Sequence, residues 1–351
     1  MPQRKTISDV AARAGVSRSL VSAVLSGRKS TIRVSDATRE KVLQAAREIN
    51  YRPNLIAKGL HAKKSFLLAY LCTGGGSWGV STRILRSIQN ACREYNYSLA
   101  VYVSDSLDEE RLNLQAALER QVDGIIVSPV MNIDKTNELE FQKVASGGLP
   151  VVQIGQSFSG LPGVTRDFEQ IGRDAAELLV NSGRRNILMI TYDNYADPKM
   201  GPASYAEYVG YRAVMEEHGL QPDVLPISLK SSGGSNLNYK ASVTETAFLQ
   251  IQKALDKKKL QPDAILSSSN SLGYGASFYC HKKGLSIPGD VAILSCSDDI
   301  VIPSMMLPNL SGFPLSATEI GKAAVELCLS PGEVKNVQIP QSYVESESFC
   351  K

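Results

Sequence analysis

Six hydroxyl side chains lie close together near the start of the chain: Thr6, Ser8, Ser17, Ser19, Ser22 and Ser26, with Arg18 among them. Hydroxyls of this kind bond phosphate oxygens or base edges, and an arginine can grip the edge of a guanine with two parallel donors. No general base or metal-ligand spacing accompanies them, so the chemistry they suit is recognition rather than catalysis. The charge distribution agrees. Residues 1–64 carry 14 Lys/Arg against 4 Asp/Glu, a net +10, while the remainder of the 351-residue chain is net −7. A basic excess on so short a segment suits a polyanion partner. Taken alone, it would also fit a solvated basic face.

The elements that must hold these residues follow from the pattern. Thr6 is a good N-cap, with Asp9 three positions on and an apolar stripe at Ile7, Val10, Ala11 and Ala14. Gly15 supplies a tight turn. Ser17 can cap a second helix that buries Leu20, Val21, Val24 and Leu25 and stops at Gly27. That helix exposes Arg18, Ser19, Ser22, Ala23 and Ser26. After a basic loop, Ser35 can cap a third helix that carries Val42, Ala45, Ala46 and Ile49. Helix, glycine turn and helix at this spacing is the helix-turn-helix signature; a three-helix fragment of a larger domain has the same spacing. Pro53 ends the third helix. Residues 54–61 are too few to form a stable helix alone, and Gly59 weakens it further.

From Ser65 the composition changes. Apolar runs at 66–72, 98–103, 124–128, 151–154, 186–191, 264–268 and 291–295 read as strands buried on both faces. Helical patterns lie between them, for example at 82–95, 108–121, 168–182, 204–218, 243–257 and 271–283. This alternation predicts parallel βαβ units. Gly74-Gly75-Gly76 follows the first strand, but no Lys-Ser/Thr completes a phosphate loop. No nucleophile elbow or metal motif appears, so no cofactor, no metal and no enzymatic activity are expected. The six scattered cysteines read as buried or idle thiols. No apolar run is long enough to span a membrane, and no secretory signal opens the chain, so a cytoplasmic protein with no membrane partner is expected.

Several stretches resemble the lactose/galactose repressor family. In the basic segment they are Thr6-Ile7-Ser8-Asp9-Val10-Ala11, Ala14-Gly15-Val16-Ser17, Val21-Ser22-Ala23-Val24-Leu25, Thr38-Arg39-Glu40-Lys41-Val42 and Asn50-Tyr51-Arg52-Pro53-Asn54. In the remainder they include 122–127, 210–213, 262–265, Ile287-Pro288-Gly289-Asp290-Val291 and Leu307-Pro308-Asn309-Leu310. The resemblance covers nearly the whole chain. It implies an all-α helix-turn-helix headpiece and an α/β, periplasmic-binding-protein-like body of two parallel-sheet subdomains. The headpiece would be 1–53, the hinge 54–64 and the body 65–351. Within the body, 65–163 and 312–330 would form one subdomain, and 164–311 and 331–351 the other.

The resemblance also implies roles. Thr6, Ser17, Ser22, Thr38 and Asn54 match positions that seat the headpiece on phosphates. Arg18 and Ser19 match the first two base-reading positions, and Ser8 and Ser26 are further expected DNA contacts. Ala23 stands where many members carry a polar base reader; it offers only a methyl. Ala57, Lys58 and Leu60 belong to a hinge that folds on the operator, with Leu60 as a wedge between base steps. Lys58-Gly59 departs from the usual hinge pair. The loop 27–34 looks longer than in the lactose repressor, and its Arg28, Lys29 and Arg33 would add phosphate contacts. In the body, Trp78, Ser81, Ser128, Glu207, Asn270 and Asp298 would face a small-molecule effector. Glu207 replaces the arginine common in sugar-responsive members, which suggests an atypical or cationic effector, or none.

The function so implied is a sequence-specific transcription regulator, a repressor by resemblance. Its partners would be a pseudo-palindromic DNA operator, a second copy of the chain and an effector that shifts operator affinity. A free solute-binding protein or a sugar-modifying enzyme are the alternatives.

Overall fold

The computed structural model describes residues 5–26, 34–52, 59, 62–73, 78–130, 136–155, 158–199, 201–229, 243–257, 262–297, 307–330 and 336–350. The chain divides into two units, Met1–Ser65 and Phe66–Lys351.

In the first unit, α1 (Ile7–Ala14), α2 (Arg18–Ser26) and α3 (Asp36–Glu48) pack around one small core. Its fully or nearly buried members are Val10, Ala11, Ala14, Val21, Val24, Val42, Ala45 and Ala46. Burying a valine contributes roughly 1.5–3 kcal/mol, so a core of so few small side chains leaves little surplus stability. The helix ends are closed locally. The Thr6 amide and hydroxyl both donate to Asp9 Oδ2, at 2.7 and 2.9 Å. The Thr6 amide is the main cause that holds the Asp9 carboxyl below its usual range. Gly15 closes α1 in the left-handed conformation at φ +62°. Ser35 Oγ accepts the Thr38 amide at 3.3 Å. Arg13 of α1 reaches Glu48 of α3 at 2.6 Å on the surface.

The second unit holds two all-parallel sheets. The first has the order β11-β5-β4-β3-β1-β2, with β1 Leu67–Thr73, β2 Ser98–Ser104, β3 Gly124–Val127, β4 Val151–Ile154, β5 Gly163–Thr165 and β11 Asn336–Gln338. The second has the order β10-β9-β8-β6-β7, with β6 Ile187–Tyr192, β7 Asp223–Ile227, β8 Ala264–Ser267, β9 Ala292–Ser295 and β10 Ser311–Gly312. Central strands β3, β8 and β9 are buried along their length, as sheets covered by helices on both faces require. Helices α4 (Trp78–Glu94), α5 (Leu107–Glu119), α6 (Glu138–Ser146) and α11 (Ala317–Leu329) serve the first lobe. Helices α7 (Phe168–Asn181), α8 (Pro202–Glu217), α9 (Val243–Leu255) and α10 (Asn270–Lys283) serve the second.

The lobe boundaries differ from those expected at 163/164 and 330/331. Residues 163–165 and 336–338 pair with each other at the edge of the first sheet. The Gly163 amide also donates to Asn336 Oδ1 at 3.1 Å, and Val164 lies in the first lobe's core. The chain therefore crosses between lobes at 166–167, 313–316 and 339–343. Tertiary contacts link these crossovers and their flanks. The Ile339 amide donates to Thr165 O at 2.8 Å, and the Phe313 and Tyr343 rings lie 5.8 Å apart. No described helix is long and apolar enough to cross a membrane.

Candidate nucleic-acid interface and ligand cleft

Helix α2 is built to present one polar face. Val21 and Val24 point into the core, while Ser17, Arg18, Ser19 and Ser22 are exposed and Ala23 is half-buried. Ser17 fixes the start of the helix. Its Oγ accepts the Leu20 amide at 3.3 Å and lies 3.0 Å from Ser19 Oγ. Arg18 and Ser19 thus occupy the first turn, where unpaired backbone N–H groups and the positive end of the helix dipole attract phosphate. Thr6 and Ser8 are exposed at the start of α1, and Thr38 is half-buried at the start of α3. Ser17 and Ser35 stand just before α2 and α3, as the capping pattern anticipates. Ser26 ends α2. Asn54, Ala57, Lys58, Leu60 and the loop cations Arg28, Lys29 and Arg33 lie outside the described residues.

In the body the polar residues gather at the carboxyl ends of the strands, where open α/β sheets bind ligands. Ser128 follows β3, and its Oγ lies 2.9 Å from Tyr70 Oη of β1. Asn270 opens α10 just after β8 and is buried. Ser269 caps that helix by accepting the Leu272 amide, and its Oγ lies 3.0 Å from Tyr192 Oη. Trp78 and Ser81 fall in the first turn of α4; Asp298 lies outside the described residues.

Glu207 is placed unlike an open ligand contact. Only 2% of it is exposed. It packs with Ser268, Arg166 and Cys296, and burial pushes its carboxyl up to about 8 against the opposing pull of Ser268 and Arg166. The neighbouring helix α7 fixes its backbone: a Cβ on Gly172 would fall 2.1 Å from Glu207 O, and one on Gly210 would fall 2.1 Å from Glu169 O. Arg166, itself 5% exposed, donates from Nη2 to Phe313 O at 2.9 Å. Neither Arg166 nor Ser268 stood out by pattern. No sequence signal marks either: Arg166 sits in Val164-Thr165-Arg166-Asp167-Phe168, which mixes polar and apolar residues without a period.

Five of the six cysteines are buried, and Cys350 is exposed. Burial raises the thiols of Cys92 to about 11 and of Cys280 and Cys328 to about 12, which keeps them protonated and inert near neutrality. Among the described residues no group of three His, Cys, Asp or Glu side chains could hold a metal ion.

The model of bacterial regulatory proteins of the lacI family matches residues 6–54, and that of a periplasmic binding protein-like domain matches 176–346. The chain thus carries a lacI-type DNA-binding domain and a periplasmic binding protein-like domain. It is therefore a DNA-binding transcription regulator with an effector-binding type of body. Catabolite control protein A of Priestia megaterium is 28% identical over 92% of this chain and 91% of its own length. The ribose operon repressor of Escherichia coli K12 is 26% identical over 92% of both chains. Among solved structures, the lac repressor dimer bound to operator and the anti-inducer ONPF superposes with a TM-score of 0.77, at 22% identity and 99% coverage of both chains. The complex of the transcriptional regulator CelR with cellobiose gives 0.64 at 23% identity, over 99% of this chain and 100% of its own. The chain thus has both parts implied by its residues, a headpiece and a two-lobed body.

Proposed function

We propose that this regulator represses transcription as a homodimer in the cytoplasm, reading a pseudo-palindromic operator through α2. The observation that carries this reading is the exposed row Ser17, Arg18, Ser19 and Ser22 over a core of Val21 and Val24. One headpiece covers a half-site, and two are needed for specific affinity. A solved structural neighbour is a dimer on operator DNA, which favours the same assembly here. Thr6, Ser17, Ser22, Thr38 and Asn54 seat the headpiece on phosphates in this reading, Ser8 and Ser26 are further DNA contacts, and Ala57, Lys58 and Leu60 form the hinge. Arg18 and Ser19 supply the polar base readout, and Ala23 meets at most a thymine methyl.

The cleft between the lobes takes a small-molecule effector, which meets Ser128 and Asn270 with Trp78, Ser81 and Asp298. Two structural neighbours carry small molecules, ONPF and cellobiose. Effector binding closes the lobes and changes the spacing of the paired headpieces, so operator affinity shifts. No enzymatic activity is assigned; the relatives quoted above are named as a catabolite control protein and an operon repressor.

Selection of bound sequences from a random DNA pool tests the headpiece assignment. The intact chain should enrich an inverted repeat. Arg18→Ala should weaken binding by about 1–3 kcal/mol and relax preference at one position of each half-site. Arg13→Ala should leave preference unchanged, because Arg13 is held by Glu48. Identical base preferences in the wild type and Arg18→Ala would rule out Arg18 as a base reader.

A further inference from the structure

The body begins on a residue in an uncommon conformation. Phe66 stands directly before β1 with φ at +54°, in the left-handed region. A bulky side chain costs free energy there and stays only where its surroundings over-determine it. Residues at the starts of β2 and β3, the strands that flank β1, do so. The Phe66 amide donates to Oδ2 of Asp123, just before β3, at 3.0 Å. The Phe66 carbonyl accepts the amide of Ser98, the first residue of β2, at 2.8 Å. The Phe66 ring lies 5.6 Å from that of Tyr97, tilted by 57°. Asp123 is held in turn, because its own amide donates to Leu67 O of β1 at 2.8 Å. Burial pushes the Tyr97 phenol up to about 12, so it keeps its proton and donates it to Asp123.

These contacts sit at the amino ends of β1, β2 and β3, whereas Ser128 follows the carboxyl end of β3. The length of the sheet separates them from the ligand end. Entry into a buried strand needs no left-handed residue, since extended backbone leads into it directly. The φ of Phe66 is instead the last torsion before the sheet. Turning it swings everything that precedes it, the whole of Met1–Ser65, while β1 stays paired with β2 and β3.

We propose that Asp123 is a positioning residue for DNA binding: by pinning the Phe66 amide it fixes the course on which the chain enters the body, and with it the spacing at which two headpieces meet their half-sites. Two headpieces reinforce each other only where the connecting chain lets both engage at once. A fixed course narrows the range of spacings that qualify, and a loose course widens it. The inference rests on the proposed homodimer that reads an inverted repeat, and it assigns the choice of half-site spacing to a contact inside the body.

Affinities of the intact chain for three DNA duplexes test it. The first is the selected inverted repeat, the second the same repeat with its centre lengthened by about two base pairs, and the third a lone half-site. The wild type should prefer the selected repeat to the lengthened one by at least about tenfold. Asp123→Ala removes the acceptor, and Phe66→Gly removes the ring and frees φ. In each the preference should fall to about twofold or less, while affinity for the lone half-site stays within about twofold of the wild type. Asp123→Asn still offers an oxygen to the Phe66 amide and should keep most of the preference. Phe66→Gly leaves Asp123 and Tyr97 in place, so it carries the test if Asp123→Ala does not fold. A purely structural role would lower the melting temperature and leave the preference between the two repeats as in the wild type, and that result overturns the proposal. A wild type that binds the lone half-site as tightly as either repeat overturns the homodimer reading itself and this proposal with it.

Discussion

Glu207 shows what a single residue contributes and how its contribution depends on pH. Its carboxyl is raised from an ordinary 4.5 to about 8 because burial disfavours the charged form. In that window the native chain keeps a proton that the unfolded chain has released. The stability so gained is complete below about pH 4.5 and is lost as pH rises through about 8. At about 1.4 kcal/mol per unit, the wild type should lose on the order of 2 kcal/mol relative to Glu207→Gln between pH 6 and 8. Melting curves of both proteins over that range check this, and curves that run parallel would refute it. The sequence shows at this position only that a customary arginine is replaced by an acid. Its meaning depends on Arg166, 41 positions away, and on Ser268 and Cys296, which two separate strands deliver. Residue type suggests an atypical or cationic effector, or none; the fold sets an internal cation, Arg166, beside the carboxyl.

Elements legible in the sequence are those whose signal is local. The three headpiece helices, the long buried strands and the amphipathic helices between them all appear within a few residues of where cap residues and apolar periodicity put them. Strands β5, β10 and β11 span only two or three residues, too few for any period to show. Their placement is decided by pairing partners far along the chain, and for that reason the lobe boundaries shifted. Two glycines separate local from tertiary constraint. Gly15 needs its left-handed conformation, with only Lys41 Nζ near, at 3.8 Å from an added Cβ. Gly15→Ala should therefore cost about 1–2 kcal/mol from backbone strain alone. Gly210 is helical, but its added Cβ would fall 2.1 Å from Glu169 O and 2.8 Å from the Arg173 amide. Neither atom can move without separating α7 from α8, so Gly210→Ala should cost about 3 kcal/mol or more. Calorimetry of the intact chain should show Gly15→Ala lowering only the headpiece transition and Gly210→Ala only that of the body. A reversed assignment, or a mild Gly210→Ala, would contradict the packing described for α7 and α8.

At the scale of the whole molecule, both lobes carry apolar surface that a monomer has no reason to expose. Strand β2 forms one edge of the first sheet, and Val101 and Val103 are 41% and 53% exposed two residues apart, on the same face. Leu112 of α5, a helix that covers β2, is 65% exposed. In the second lobe, Leu249 of α9 and Phe278 of α10 are exposed on two helices packed together. An open, parallel-sheet edge lined with valine invites pairing or aggregation unless something covers it. A second copy of the chain is the economical cover, because a twofold partner would bring its own α2 to the second half of an inverted repeat. Such a contact joins two identical surfaces, so one substitution acts twice. Val103→Asp places a charge at both copies of the position and should shift sedimentation from dimer to monomer. The headpiece is untouched by that change, so contact with a single half-site persists, and full-operator binding should weaken at least about a hundredfold as the second headpiece is lost. A Val103→Asp protein that sediments as a dimer would place the interface elsewhere, and full affinity in a proven monomer would remove the need for two headpieces.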